Sequence, residues 1–151
     1  MSAIAFFGAI ESGLLFGLVA FGVFIAFRVL DFPDLTVDGS FPLGAAVAAT
    51  LIVSGWNPWV ATAMAMVAGC MAGALTAWLN VRLQIMNLLA SILTMIALYS
   101  INLRIMGKPN LALIMEPTVL SPFEALGISS MYLKVIFVAV VVILVGLAIA
   151  Y

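Results

Sequence analysis

Half of the six acidic residues in this 151-residue chain fall in one short stretch, Arg28-Val29-Leu30-Asp31-Phe32-Pro33-Asp34-Leu35-Thr36-Val37-Asp38-Gly39-Ser40-Phe41-Pro42. Asp31, Asp34 and Asp38 are its carboxylates, with the hydroxyls of Thr36 and Ser40 between and beside them. Their spacing does not fit a calcium loop, which needs acids at alternate positions. Carboxylates and hydroxyls together can contact a polar solute. They are also the one carboxylate cluster from which acid–base catalysis could be built, because the chain has no histidine. A second polar series, Asn87, Ser91 and Thr94, follows i, i+4, i+7 spacing and shares one helix face. That face either lines a polar path or makes hydrogen bonds between helices. Glu11 stands alone inside the first apolar segment, where an acid is a functional candidate.

The elements that carry these residues follow from composition. Apolar residues make up 67% of the chain and charged residues 7%, too few polar groups to coat a soluble domain. The net charge of −1 leaves no basic face for nucleic acid. With no histidine and the single Cys70, a disulfide framework, a zinc site and His-based catalysis are all excluded. No catalytic residue, metal ligand or cofactor is expected. A bilayer is the solvent this composition requires.

Charges divide the chain into apolar runs: 1–27 holds only Glu11, and 39–81, 83–103 and 135–151 hold none. About 20 apolar residues span the hydrocarbon, and the absence of strand-like alternation favours helices over a barrel. Ser54-Gly55-Trp56-Asn57-Pro58-Trp59 splits the longest run with turn residues and interfacial tryptophans. The expectation is an all-α polytopic transmembrane bundle of about five helices, near 3–27, 41–53, 59–81, 85–104 and 132–151. Pro33 ends the first helix, and Ser40 caps the second with Pro42 in its first turn. The second helix is then short, and short or interrupted membrane helices point to transporter sites. Its free N–H groups would attract an anionic group. A further one- or two-turn helix is expected near 122–126, from Ser121-Pro122-Phe123-Glu124 and Gly127. Ala61, Ala65, Gly69, Gly73 and Ala77, and also Gly13 and Gly17, read as helix-packing positions. No phosphate loop exists, so this chain does not hydrolyse ATP.

Phe27 to Phe41, Gly44-Ala45-Ala46-Val47-Ala48-Ala49, Asn57-Pro58-Trp59 and Ala97 to Gly107 together resemble ABC-transporter permeases of the branched-chain amino acid and ribose superfamily. The similarity extends to the subgroup assigned to tryptophan, tyrosine and related compounds, and Asp34-Leu35-Thr36-Val37-Asp38-Gly39-Ser40 is its most specific part. The resemblance implies a multi-pass protein of the prokaryotic inner membrane. It implies three kinds of partner: a cytoplasmic ATP-binding subunit, an extracytoplasmic solute-binding protein and a second permease copy. It also implies that residues 1–151 form one transmembrane permease domain, the N-terminal half of a longer permease. The expected function is a permease component of an ATP-driven importer for a small polar solute, an amino acid, with Asp34, Thr36, Asp38, Ser40, Asn87, Ser91 and Thr94 along the solute's path. The alternative is a passive channel or a non-transport membrane scaffold.

Overall fold

The computed structural model describes residues 3–29, 31–113, 116–121 and 130–150. Among the described residues the α-helices are α1 (Ala3–Phe24), α2 (Val37–Val53), α3 (Pro58–Leu83), α4 (Asn87–Met106) and α5 (Ser130–Ala150), and a π-helical turn, Ile25–Val29, extends α1. The fold is therefore the helical membrane bundle that the sequence predicts. Among the described residues three helices are long and apolar enough to cross a membrane: Ala5–Arg28, Pro58–Leu83 and Asn87–Met106. The helix expected near 122–126 lies outside the described residues.

Two compact units form, one from Met1–Leu30 with Val119–Tyr151 and one from Asp31–Thr118. In the first, α1 and α5 run side by side and parallel. The Phe7 ring meets Tyr132 edge-on at 5.2 Å, and about four turns further along both helices the Phe21 ring passes where a Gly146 side chain would begin, at 3.5 Å. Glu11 is half-buried on α1 within this unit.

The second unit packs α2 against α3 and α4. Leu43, Ala72 and Leu98, one from each helix, form its apolar centre, with Val47, Ala68 and Ile105 against them. Many large apolar side chains elsewhere stay exposed, Met66, Met71 and Val81 among them, as expected where lipid takes the place of water. The turn between α2 and α3 forms as predicted. Gly55 takes a left-handed conformation at φ 81°, its N–H reaches the Ile52 carbonyl, and the Trp56 N–H reaches the Leu51 carbonyl. Asn57 then caps α3 by accepting from the Trp59 N–H at 3.0 Å, with Pro58 at the first helical position.

The start of α2 differs from expectation. It begins at Val37, about one turn before residue 41, so Ser40 is not its cap and Pro42 lies inside the helix. The cause is local. Asp34 Oδ1 accepts the Thr36 N–H at 2.8 Å, and the Thr36 carbonyl takes the N–H groups of Gly39 and Ser40 at 2.9 and 2.8 Å. These bonds nucleate the helix before Ser40 is reached. At 17 residues, about 25 Å, α2 remains shorter than a full span.

Gly39 sets the distance between α2 and α4. A Cβ there would stand 3.1 Å from both Met95 Cα and Leu98 Cβ. At Gly44, by contrast, a Cβ would meet Ala65 at ordinary distances of 3.7–4.0 Å. Among the described residues nothing lies within 4 Å of a Cβ added at Gly13, Gly17, Gly69 or Gly73, so within the small-residue series it is fully buried Ala61, and Ala65 facing Gly44, that the packing shows.

Gly39→Ala should destabilise the purified protein by about 1–3 kcal/mol, since backbone of α4 must move, whereas Gly44→Ala should be close to neutral. Thermal unfolding in one detergent compares the two, and equal melting points would contradict the close approach. Asn57→Ala should cost about 1 kcal/mol in the same assay through the lost cap.

Candidate functional site

The residues singled out in the Arg28–Pro42 stretch do not share one environment. Asp31 is exposed in a left-handed conformation, φ 50°, which aspartate tolerates better than most residues. Asp34 is half-buried and committed to the Thr36 N–H. Thr36 is buried, and its hydroxyl meets that of Thr76 on α3 at 2.8 Å. Thr76 in turn donates to the Ala72 carbonyl at 3.3 Å. Asp38 is exposed in the first turn of α2, where the helix dipole favours a negative charge. Ser40 is partly buried one turn further on.

Four N–H groups at this helix start already have partners within the chain. Thr36 gives its N–H to Asp34, Asp38 to the Leu35 carbonyl, and Gly39 and Ser40 to the Thr36 carbonyl. These internal bonds leave fewer donors for an anion than the sequence suggests.

The polar series on α4 does share one face, and the face is turned inward. Ala90, Ser91, Thr94, Leu98 and Asn102 are the buried residues of this helix. The Ser91 hydroxyl donates to the Leu88 carbonyl at 2.9 Å and that of Thr94 to the Ala90 carbonyl at 3.0 Å. Asn87 accepts from the Asn80 side-chain amide, which also donates to the Ile85 carbonyl at 2.8 Å. That pair closes the tight turn between α3 and α4, where Gln84 adopts the left-handed conformation, φ 53°.

Asn102 continues this face and behaves differently. It is 7% exposed, and its side-chain Nδ2 donates to the Gly39 carbonyl at 3.3 Å. Its Oδ1 has no hydrogen-bond partner among the described residues. The amide orientation is fixed, because exchanging oxygen and nitrogen would set two carbonyl oxygens against each other. Asn102 lines a cleft of about 300 Å³ between the start of α2 and the later turns of α4, together with Asp38, Pro42, Met95, Ile96 and Tyr99. Of the sequence-predicted site residues, the cleft gathers Asp38 alone. Asn102, Tyr99 and Met95 are its additions, and the pattern already present held the signal. Carrying the Asn87, Ser91, Thr94 series onward by three- and four-residue steps leads through Leu98 to Asn102.

Comparison with known proteins places this arrangement. The family described as "Branched-chain amino acid transport system / permease component" matches residues 5–151. A "Tyrosine transport system permease protein" of Clostridioides difficile (strain R20291) is 49% identical over 100 residues, 66% of this chain and 34% of that protein. "Uncharacterized protein RP368" of Rickettsia prowazekii (strain Madrid E) is 39% identical over 113 residues, 75% of this chain and 40% of that protein. The chain thus spans between a third and two fifths of the length of these relatives. No solved structure matches. With its apolar helices and a family match over nearly its whole length, the chain belongs to the branched-chain amino acid transport system permeases, as a membrane component of a transport system.

Proposed function

We propose that the chain is the permease component of an ATP-binding-cassette importer that carries a small polar solute, an amino acid of the aromatic class, across the prokaryotic inner membrane. One observation carries the reading: nearly half-identity, over two thirds of the chain, to a permease named for tyrosine transport. The apolar helices supply the spanning scaffold, and the 31–42 stretch and α4 supply the polar groups along it. The partners are a cytoplasmic ATP-binding subunit, an extracytoplasmic solute-binding protein and a second permease copy. ATP hydrolysis stays in the separate subunit, and energy reaches the path as a two-state rearrangement of packed helices.

Within this reading Asp34, Thr36, Asp38, Ser40, Asn87, Ser91 and Thr94 border the path in two ways. Asp38 and Ser40 contact the solute. Asp34, Thr36, Asn87, Ser91 and Thr94 hold the surrounding helices through the hydrogen bonds described above.

The test is uptake of labelled tyrosine into proteoliposomes holding the complete permease with its ATP-binding subunit and solute-binding protein. Uptake should require ATP. Asp38→Ala should raise KM by about tenfold or more through loss of a charge-assisted hydrogen bond, and Ser40→Ala should raise it less. Flux that proceeds without ATP would identify a passive channel instead. Unchanged uptake and affinity in both variants would remove the residues from the path.

A further inference from the structure

The cleft between α2 and α4 is asymmetric in its chemistry. Apart from the Tyr99 hydroxyl, which can donate or accept, its free polar groups are hydrogen-bond acceptors. Asp38 offers a carboxylate, and Asn102, which lines the cleft, holds an Oδ1 that is buried beneath it and that no described residue satisfies. The Asp38 carbonyl adds to them, because the residue that would return an N–H to it along the helix is Pro42, which has none. No Lys or Arg lines the cleft. The remaining wall is apolar or aromatic: Met95, Ile96 and the exposed ring of Tyr99.

A buried acceptor left without a donor costs free energy, and so does a carboxylate held next to hydrocarbon. Both costs fall if a cation with several donors enters. A primary ammonium carries three donors and one positive charge, which suits two or three converging oxygens. The Tyr99 face can attract the same charge, and Met95 and Ile96 accept an apolar body attached to it. An anion would be repelled by Asp38 and find only the Tyr99 hydroxyl as a side-chain donor in return.

We infer that this cleft binds the primary ammonium group of an amine with an apolar or aromatic body, held by Asp38 and Asn102 with Tyr99 against it. The inference rests on the permease reading to the extent that this ammonium belongs to the transported solute. It adds the chemical group recognised and two residues, Asn102 and Tyr99, to that reading.

The probe is tritiated tyramine, an aromatic amine without a carboxylate. Its equilibrium binding is measured on the purified, monodisperse permease in nanodiscs, with unlabelled 3-(4-hydroxyphenyl)propionate, the matching acid without an amine, as competitor. Tyramine should bind saturably, and the amine-free acid should not displace it at about hundredfold excess. Asp38→Asn should weaken tyramine binding by about tenfold or more, and Tyr99→Ala by several-fold. Both side chains are exposed, Tyr99 at 68%, so neither variant disturbs the core. Asn102→Leu should abolish binding. Absence of saturable binding to the wild-type protein, displacement by the acid, or unchanged affinity in both Asp38→Asn and Tyr99→Ala would overturn the inference. ATP-dependent tyrosine uptake measured with the same variants separates the two readings. Intact uptake without amine binding removes the cleft and leaves the permease. Asp38-dependent amine binding without ATP-dependent uptake keeps the cleft and removes the importer.

Discussion

Everything in the second unit turns on how near the backbone of α2 comes to α4 at Gly39. The missing side chain lets the two helices meet where even one methyl group would stand 3.1 Å from Met95 Cα. The same approach brings the Gly39 carbonyl within reach of the Asn102 amide. In lipid, burying apolar surface between helices gains little over leaving it in the hydrocarbon, so close contact and hydrogen bonds must hold them together. A single glycine therefore supplies both terms at once. It also accounts for the unsatisfied atom: drawing Nδ2 of Asn102 toward α2 leaves its Oδ1 buried without a described partner, in a residue that lines the cleft with Asp38 and Pro42.

The hydroxyls of this unit follow a different logic. Ser91, Thr94 and Thr76 return their protons to carbonyls of their own helices, so they enter the interior without needing a partner from outside. Hydroxyls satisfied this way impose little polarity on the space around them. An amide cannot be satisfied so cheaply, because it has two different ends, and that is why Asn102 and not Ser91 or Thr94 leaves an open polar atom.

Much of the fold was legible in the sequence because its punctuation is chemical. Asn57-Pro58 marked the start of α3 through a cap and a proline that needs no N–H, and Gly55 marked the turn before it. Charge-free runs gave the remaining helices to within a few residues at most ends. The start of α2 was misplaced because Ser40 and Pro42 look like a cap and a first turn, while the decisive bond, from the Thr36 N–H to Asp34, depends on a loop conformation that spacing does not encode. The carboxylates and hydroxyls of the 31–42 stretch were visible as a group, but their separation into buried Thr36, committed Asp34 and exposed Asp38 arises only when α3 and α4 close around them. Membership of the permease family rested on resemblance, most specifically that of the Asp34–Ser40 string, and the family match over residues 5–151 agrees with it.

The Thr36–Thr76 pair carries a directional consequence. Thr76 has two acceptors for its proton, the Ala72 carbonyl of its own helix and the Thr36 hydroxyl, whereas the hydroxyl bond of Thr36 is the one to Thr76. The two threonines are therefore not equivalent despite their identical chemistry. A valine in place of Thr36 leaves Thr76 with its bond along α3. A valine in place of Thr76 strands a buried hydroxyl on the segment that opens α2. Loss of the oxygen therefore leaves no stranded hydroxyl when it happens at position 36, but does when it happens at position 76.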